Sequence, residues 1–266
     1  EWNGKPRFAL LCVNFHTTHY LKLMLHSLTQ QENLSLLDRV VIVDNASRDG
    51  GLPFMRTLAG HSDKIQLIEN QRWTNHARGM RLAMAALDQD DAVRPDSECA
   101  NVLLFCDPDV LFLRPDTLRS LASVFQDSQV SHAGELRTHL RPLPEAQASF
   151  LAVRRDWAAR RDISPWVNHG SPAWWMQRDL IRSGGKAAHF PSNQQGHILH
   201  RGRSAVAATR TFDPTHPYAT ARRRDAHYMG RPDGAATWAA IEESLADWLE
   251  QSREKELVGY LAERLS

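Results

Sequence analysis

Four short apolar runs punctuate the first half of the chain, and polar residues close each of them: "RFALLCVNF" (7–15), "RVVIVDN" (39–45), "KIQLIEN" (64–70) and "NVLLFC" (101–106), the last running into Asp107. Each has the length of a strand. None alternates cleanly between apolar and polar, so each reads as a strand buried on both faces, the pattern of a parallel sheet. Helical spacing follows every run. Thr17 and Thr18 are N-cap candidates before Leu21, Met24, Leu25 and Leu28. "DNASRDGG" after the second run is rich in turn and capping residues. Trp73, Ala77, Met80, Met84 and Leu87 then make one helical stripe, with Arg78 and Arg81 off it. "RPDTLRSLASVF" starts the fourth helix, with Pro115 near its first turn. This alternation predicts an α/β fold with a doubly wound, mostly parallel sheet flanked by helices. Such sheets bind ligands at the carboxyl ends of their strands. Asn14, Asp44, Asn45, Asn70, Asp107 and Asp109 should therefore gather along one edge.

The second half is less regular. "ASFLAVRRDW" (148–157) reads as a strand, and "SPAWWMQRDLIRSGG" (171–185) as a helix stopped by Gly184 and Gly185. "KAAHFP" and "GHILHRG" read as two more short strands. From about Ala235 the chain becomes a C-terminal helical extension, one long amphipathic helix or a pair. Its stripe is Trp238, Ile241, Leu245 and Trp248, resumed by Leu257 and Leu261 beyond a polar break. The extension is expected to pack on its own domain. It is also the segment through which a second copy, as a homodimer, or a membrane surface would be met.

A chain of 266 residues with 42% hydrophobic and 24% charged residues suits one large soluble α/β domain. The net charge of +1 argues against a nucleic-acid binder. Arginines do cluster in "HRGRSAVAATR" and "ARRRD", which suits a phosphate-bearing small molecule. Cys12, Cys99 and Cys106 fit neither a disulfide framework nor a CxxC metal site, which points to a reducing compartment. No apolar run approaches the ~20 residues that span a bilayer, and no signal peptide is visible. A cytoplasmic location, free or peripheral to the inner face of the membrane, is expected. The sequence opens on Glu1 rather than Met, so it is read as trimmed or as a piece of a longer protein.

The most pointed motif is "CDPDV". Asp107 and Asp109, one residue apart at the end of an apolar strand, can share a divalent cation such as Mg2+ or Mn2+, which prefer oxygen ligands. The same tripeptide can also be a turn, since Asp and Pro are ordinary turn residues. Its place among the other polar strand ends favours the metal.

Taken in order, "VNFH", "VIVDNASRDG", "LIEN" with "NHARGMRLAMA", "LLFCDPDVLF" and "LHRGRS" resemble the family-2-type glycosyltransferases of GT-A fold. The resemblance covers about residues 7–210. It implies a metal-dependent glycosyltransferase, hexosyltransferase-like, which moves a sugar from a UDP- or dTDP-linked donor to a carbohydrate or other hydroxyl acceptor in glycan or polysaccharide biosynthesis. It implies one GT-A-like unit over residues 1–234, with a nucleotide-binding half at about 7–128 and an acceptor half at about 129–234, followed by the extension at 235–266. By the same likeness Asp44 contacts the nucleobase, Asp107 the ribose or a metal-bound water, and Asp109 the metal. His200 would complete the metal shell, with Asp107 counted among the ligands. Asn14, Asn45, Arg78, Arg201 and Arg203 are the other expected donor contacts, because guanidinium groups pair well with diphosphate. Asn75, His76 and Arg78 fall where the family has a polar or basic donor contact, though a solvated basic helix face reads equally well.

The chain departs from that family at one place. An acidic pair that opens the acceptor-side helix in many relatives is replaced here by "HGSPAWWMQRDL", with Pro172 and Ala173 near its position. His169 is the nearest ionisable residue and the candidate base, helix cap or acceptor contact; Asp162 and Asp179 lie further off. Trp174 and Trp175 offer either a stacking face for a sugar or ordinary core. Two other enzyme classes fit less well. Nucleotidyltransferases usually carry a Gly-rich phosphate loop after the first strand, and NAD-binding enzymes a GxGxxG there; "VNFHTTHYL" contains no Gly. A catalytically degenerate GT-A domain that binds nucleotide, glycan or a partner protein is the reading from outside the enzymes.

Overall fold

Every residue of β1 (Phe8–Asn14) is buried, and its alternate side chains enter two different cores. The computed structural model, which describes residues 5–95, 99–168, 171–221 and 225–266, shows why. Phe8, Leu10 and Cys12 pack into one apolar cluster, and Ala9, Leu11 and Val13 into another. Successive strand side chains point to opposite faces, so a strand between two helical layers must be apolar throughout.

In chain order β1 is followed by α1 (Thr18–Leu28), β2 (Leu37–Asp44), α2 (Leu52–His61), β3 (Ile65–Glu69), α3 (His76–Asp91), β4 (Val102–Cys106) and β5 (Val110–Phe112). The chain continues through α4 (Thr117–Val124), β6 (Val130–Arg137), β7 (Glu145–Arg154), α5 (Arg155–Ala158), α6 (Trp174–Arg182), β8 (Lys186–His189), β9 (Ile198–His200) and α7 (Ser204–Phe212). It ends in α8 (Gly234–Ser244), α9 (Ala246–Leu249) and α10 (Glu254–Arg264).

The main sheet has the order β3-β2-β1-β4-β7-β6-β8. β3, β2, β1 and β4 are mutually parallel, β7 runs antiparallel to both β4 and β6, and β8 is parallel to β6. This is the α/β, mostly parallel sheet flanked by helices that the apolar runs imply. The chain order reverses between β1 and β4, which opens a crevice at their carboxyl ends. α1, α2, α4 and α10 cover one face, and α3 and α6 the other.

Several local expectations change. The helical stripe of α3 is Ala77, Met80, Ala83 and Leu87, whereas Trp73 stands before the helix with 41% of its surface exposed. Asn75 is the residue that caps α3, accepting the Arg78 N–H at 2.9 Å. The expected strand over 148–157 begins at Glu145 and ends at Arg154. β5, β6 and α7 have no counterpart in the sequence reading. β5 and β9 have only three residues each and pair with one another outside the main sheet; β9 is the strand read in "GHILHRG", whereas its partner β5 is not read as one. The tail is broken into short pieces, and its apolar residues diverge. Trp238, Ile241 and Leu245 join Leu23, Leu111 and Leu199 in a small separate cluster. Leu257 and Leu261 enter the large core, against which Trp248 also packs. Among the described residues no helix is long and apolar enough to cross a membrane.

Candidate donor and metal site

The strand ends do converge. At the end of β1, Asn14 Nδ2 donates to Asp44 Oδ1 (3.0 Å), Thr18 Oγ1 (3.2 Å) and Ser47 Oγ (3.2 Å). Asp44 Oδ2 accepts the Ser47 N–H at 3.2 Å. Asn45 ties the next loop down: its Oδ1 accepts from Asn70 Nδ2, Thr74 N and Thr74 Oγ1, each at 3.0 Å, and its Nδ2 donates to Thr74 O at 2.6 Å. Asn14 and Asn45, expected as donor contacts, therefore hold the loops that frame the edge. Asp44 instead lines a cavity of about 520 Å³, together with Phe15, Arg48, Glu69, Arg72 and Trp73. Asp213, at the end of α7, closes the cavity from the other half of the chain and is paired with Arg48 at 3.0 Å. Trp73 stands edge-on to His216, with ring centroids 4.8 Å apart.

The second convergence is around the aspartate pair. The Asp107-Pro108-Asp109 turn leads directly into β5, whose Val110 is registered opposite His200 of β9. That pairing brings His200 Nε2 to 3.3 Å from Asp109 Oδ1 and 3.7 Å from Asp107 Oδ2. Asp107, Asp109 and His200 offer ligand atoms that all lie within 4.8 Å of one another, so the three can hold a metal ion. They are brought together as the sequence reading expects.

Electrostatics separates the two carboxylates. Burial alone would raise the Asp109 carboxyl, but the charge and hydrogen bond of His200, helped by Ser204, outweigh it and hold the group at about 2. Ser204 N–H, the first of α7, donates to Asp109 Oδ2 at 3.3 Å, a placement that the positive end of a helix favours. Asp107 goes the other way. Burial raises its carboxyl and Asp109 adds to that, while His76 and His200 offset only part of it. His200 itself is raised: burial opposes its charge, but two carboxylates prevail. Its Nδ1 is buried and has no hydrogen-bond partner among the described residues. A group held between two carboxylates in this way suits a cation, which would neutralise the pair.

The remaining expected residues are scattered. Arg78 is exposed on α3, and the α3 side chain that reaches the turn is His76, its Nε2 3.9 Å from Asp107 Oδ1. Arg201 N–H donates to Asp109 O at 3.0 Å, while its guanidinium lies over Tyr20. Arg203 is exposed and left-handed (φ 66°) immediately before α7. His169 lies outside the described residues. Asp162 and Asp179, the carboxylates near the acceptor-side helix, are taken up by Arg160 and Arg178. No acidic residue stands in the first turn of α6. Trp174 is buried with Arg141 over its ring at 4.6 Å, and Trp175 lies under Arg178 at 4.3 Å.

Sequence reasoning missed three supports. Glu135 accepts the Asn193 N–H at 2.6 Å, and Asn193 Oδ1 accepts the His200 N–H at 3.1 Å, a relay that fixes the end of β9. His227 stands edge-on to His200, ring centroids 5.4 Å apart, and fits only because residue 202 is glycine (φ +76°): a Cβ there would lie 2.0 Å from His227 Nε2. Ser204 lies within the "LHRGRS" resemblance but is not singled out there; its hydroxyl and its backbone N–H both hydrogen-bond Asp109.

The family model described as "Glycosyltransferase like family 2" matches residues 6–167. Among solved structures, the mannosyltransferase PcManGT from Pyrobaculum calidifontis, in complex with GDP-Man and Mn2+, is similar with a TM-score of 0.56 at 15% identity, over 98% of this chain and 86% of that one. TarS from S. aureus is similar with a TM-score of 0.54 at 11% identity, over 97% of this chain and 53% of that one. At such identities the likeness is one of fold, that of GT-A glycosyltransferases. No curated protein matches the sequence.

Proposed function

Because the chain belongs to glycosyltransferase-like family 2, we propose that it transfers a sugar from a nucleoside diphosphate donor to an acceptor hydroxyl, with Mn2+ or Mg2+ held by Asp107, Asp109 and His200. The observation that carries this reading is the joint placement of that triad and the Asp44 cavity along one sheet edge. PcManGT, of the same fold, was solved with a nucleotide sugar and Mn2+. When bound, the ion supplies positive charge against the departing diphosphate.

The chain's own residues divide the remaining work. Asp44 offers a carboxylate to the base, which favours a base that presents a ring N–H on its pairing edge: uracil, thymine or guanine rather than adenine or cytosine. Phe15 and Trp73 supply the cavity with aromatic surface. Arg201, whose backbone N–H donates to Asp109 O, and Arg203, just before α7, are the proposed diphosphate contacts. His169 is the proposed base, accepting the proton of the acceptor hydroxyl. UDP- and dTDP-sugars remain the leading donors, with GDP-sugars the comparison.

The test is calorimetric titration of UDP, dTDP and GDP with and without Mn2+, against wild type and Asp109→Ala. Metal-enhanced binding of one of them, lost in the variant, is expected. Binding that ignores both Mn2+ and the substitution would overturn the donor-site reading. The carboxylate-free opening of α6 favours a second reading, a domain that binds donor without transferring sugar. Donor hydrolysis or transfer by wild type, reduced in His169→Ala, would exclude it.

A further inference from the structure

The net charge conceals a marked asymmetry. Residues 129–234 carry sixteen Lys and Arg against eight Asp and Glu, whereas the other 160 residues carry sixteen against twenty-three. Some of the cations in the basic stretch are neutralised singly by a near neighbour, as in Arg160 with Asp162, Arg178 with Asp179 and Arg231 with Asp233. At the β6–β7 turn the balance differs. Two guanidinium groups share one carboxylate, with Arg137 Nη2 at 3.6 Å and Arg141 Nε at 2.9 Å from Glu145. The Glu145 side chain is only 3% exposed, against 28% for Arg137 and 29% for Arg141. The negative charge is therefore inside, and the surplus positive charge faces solvent.

The two arginines are also preorganised. Arg141 lies over the ring of Trp174 and donates from Nη2 to Ser171 Oγ at 3.3 Å, which leaves Nη1 with no hydrogen bond among the described residues. Arg137 Nε is buried with no acceptor among the described residues. A guanidinium held on an aromatic face keeps its donors in a fixed plane, ready for a two-pronged contact with an oxyanion.

The position matters as much as the charge. β7 is antiparallel to β4, with Phe150 opposite Cys106, and Glu145 pairs with Arg137. The turn thus projects beyond the carboxyl end of β4, the end that carries Asp107. Glu145 precedes Phe150 by five residues, so the patch lies roughly 17 Å along the strand from that end. The first turn of α6, with no acidic residue, adjoins it through Trp174. That turn therefore presents no carboxylate to repel an anion.

We propose that the acceptor of this enzyme is anionic, and that Arg137, with Arg141 over Trp174, receives a phosphate or carboxylate group close to the reacting hydroxyl. The proposal rests on the glycosyltransferase reading above and names the acceptor class of that site. It assigns a function to the Arg–Trp stack, which the core of α6 does not itself need.

The experiment uses the full chain saturated with its nucleoside diphosphate and Mn2+. Glucose, glucose 6-phosphate and glucuronate are titrated into it and followed by ligand-observed NMR. One or both charged sugars should bind at least about tenfold more tightly than glucose, with an affinity that falls as salt is raised. The phosphate and carboxylate arms identify which anion is preferred. Arg141→Gln should remove the preference. Because that change also removes the nearer of two partners of a buried carboxylate, Leu140→Glu supplies the second variant: Leu140 is 54% exposed on the same turn. A new negative charge there should cut charged-sugar binding about fivefold or more and leave glucose unchanged. Equal binding of all three sugars, or a preference that survives both variants, would overturn the proposal. Failure of the nucleotide to bind in the first step would instead remove the glycosyltransferase reading itself.

Discussion

Two buried histidines, one on each side of the molecule, behave in opposite ways. At the donor edge His200 is 7% exposed and is raised, because Asp109 and Asp107 overcome the cost of burying its charge. Across the sheet His132, in β6, is fully buried and driven down to about 4 by burial alone. Its Nδ1 lies 3.0 Å from Ser131 Oγ, and its Nε2 has no partner among the described residues. The same residue type, equally removed from water, becomes a cation-bearing site member in one place and a neutral core residue in the other. What differs is the pair of carboxylates that the β5–β9 pairing presents.

The comparison is broken most severely at Asp109. Asp109→Asn should weaken Mn2+ binding by about 1000-fold, roughly 4 kcal/mol, as read by the electron paramagnetic resonance of free Mn2+. A change of less than about tenfold, the lower bound for losing a mere outer-shell partner, would show that Asp109 is no ligand.

His132 tests the other side through stability. Its folded value lies below its unfolded one, so the unfolded chain binds the extra proton as pH falls. The contribution is full above pH 6.5 and is lost progressively as pH falls to about 4. The interval amounts to about 3 kcal/mol. Unfolding free energies from urea titrations across this window should fall for wild type by that much more than for His132→Gln. Parallel curves would mean that His132 titrates normally and that the contrast with His200 is false.

The smallest effect concerns the support behind His200. Gly202→Ala should cost about 2 kcal/mol, part from its left-handed backbone and part from collision with His227. Adding His227→Ala should recover roughly half of it, leaving about 1 kcal/mol for the backbone alone. If the double variant melts no higher than Gly202→Ala, the ring is not what requires the glycine.

Much of the donor edge was legible because its signals are contiguous. An unbroken apolar run followed by Asp44 or Asp107 declares both a buried strand and its polar end, and the order of such runs declares the sheet. His200 was legible only through the family resemblance, since nothing in "ILH" announces a partner for "VLF". His76 was visible as a candidate, yet its neighbour Arg78 looked equally good, because the first turn of a helix does not reveal which side chain faces a loop thirty residues on. Glu135 and Asn193 were out of reach, because each accepts from a backbone N–H that every residue type possesses, and only the folded chain shows which one it meets.

The sequence by itself determined the layered α/β arrangement and the residues placed at its binding edge. Hydrophobic periodicity and strand termination depend only on neighbours along the chain, and burying both faces of a strand leaves few arrangements. Tertiary structure alone decided which polar residues meet. It joined two three-residue strands to deliver His200 to Asp109, and it placed two arginines over one buried glutamate at the far side of the same edge. Those contacts are set by the closure of long loops, and they decide whether a buried charge is stabilised or suppressed. That distinction fixes the chemistry, and no local pattern encodes it.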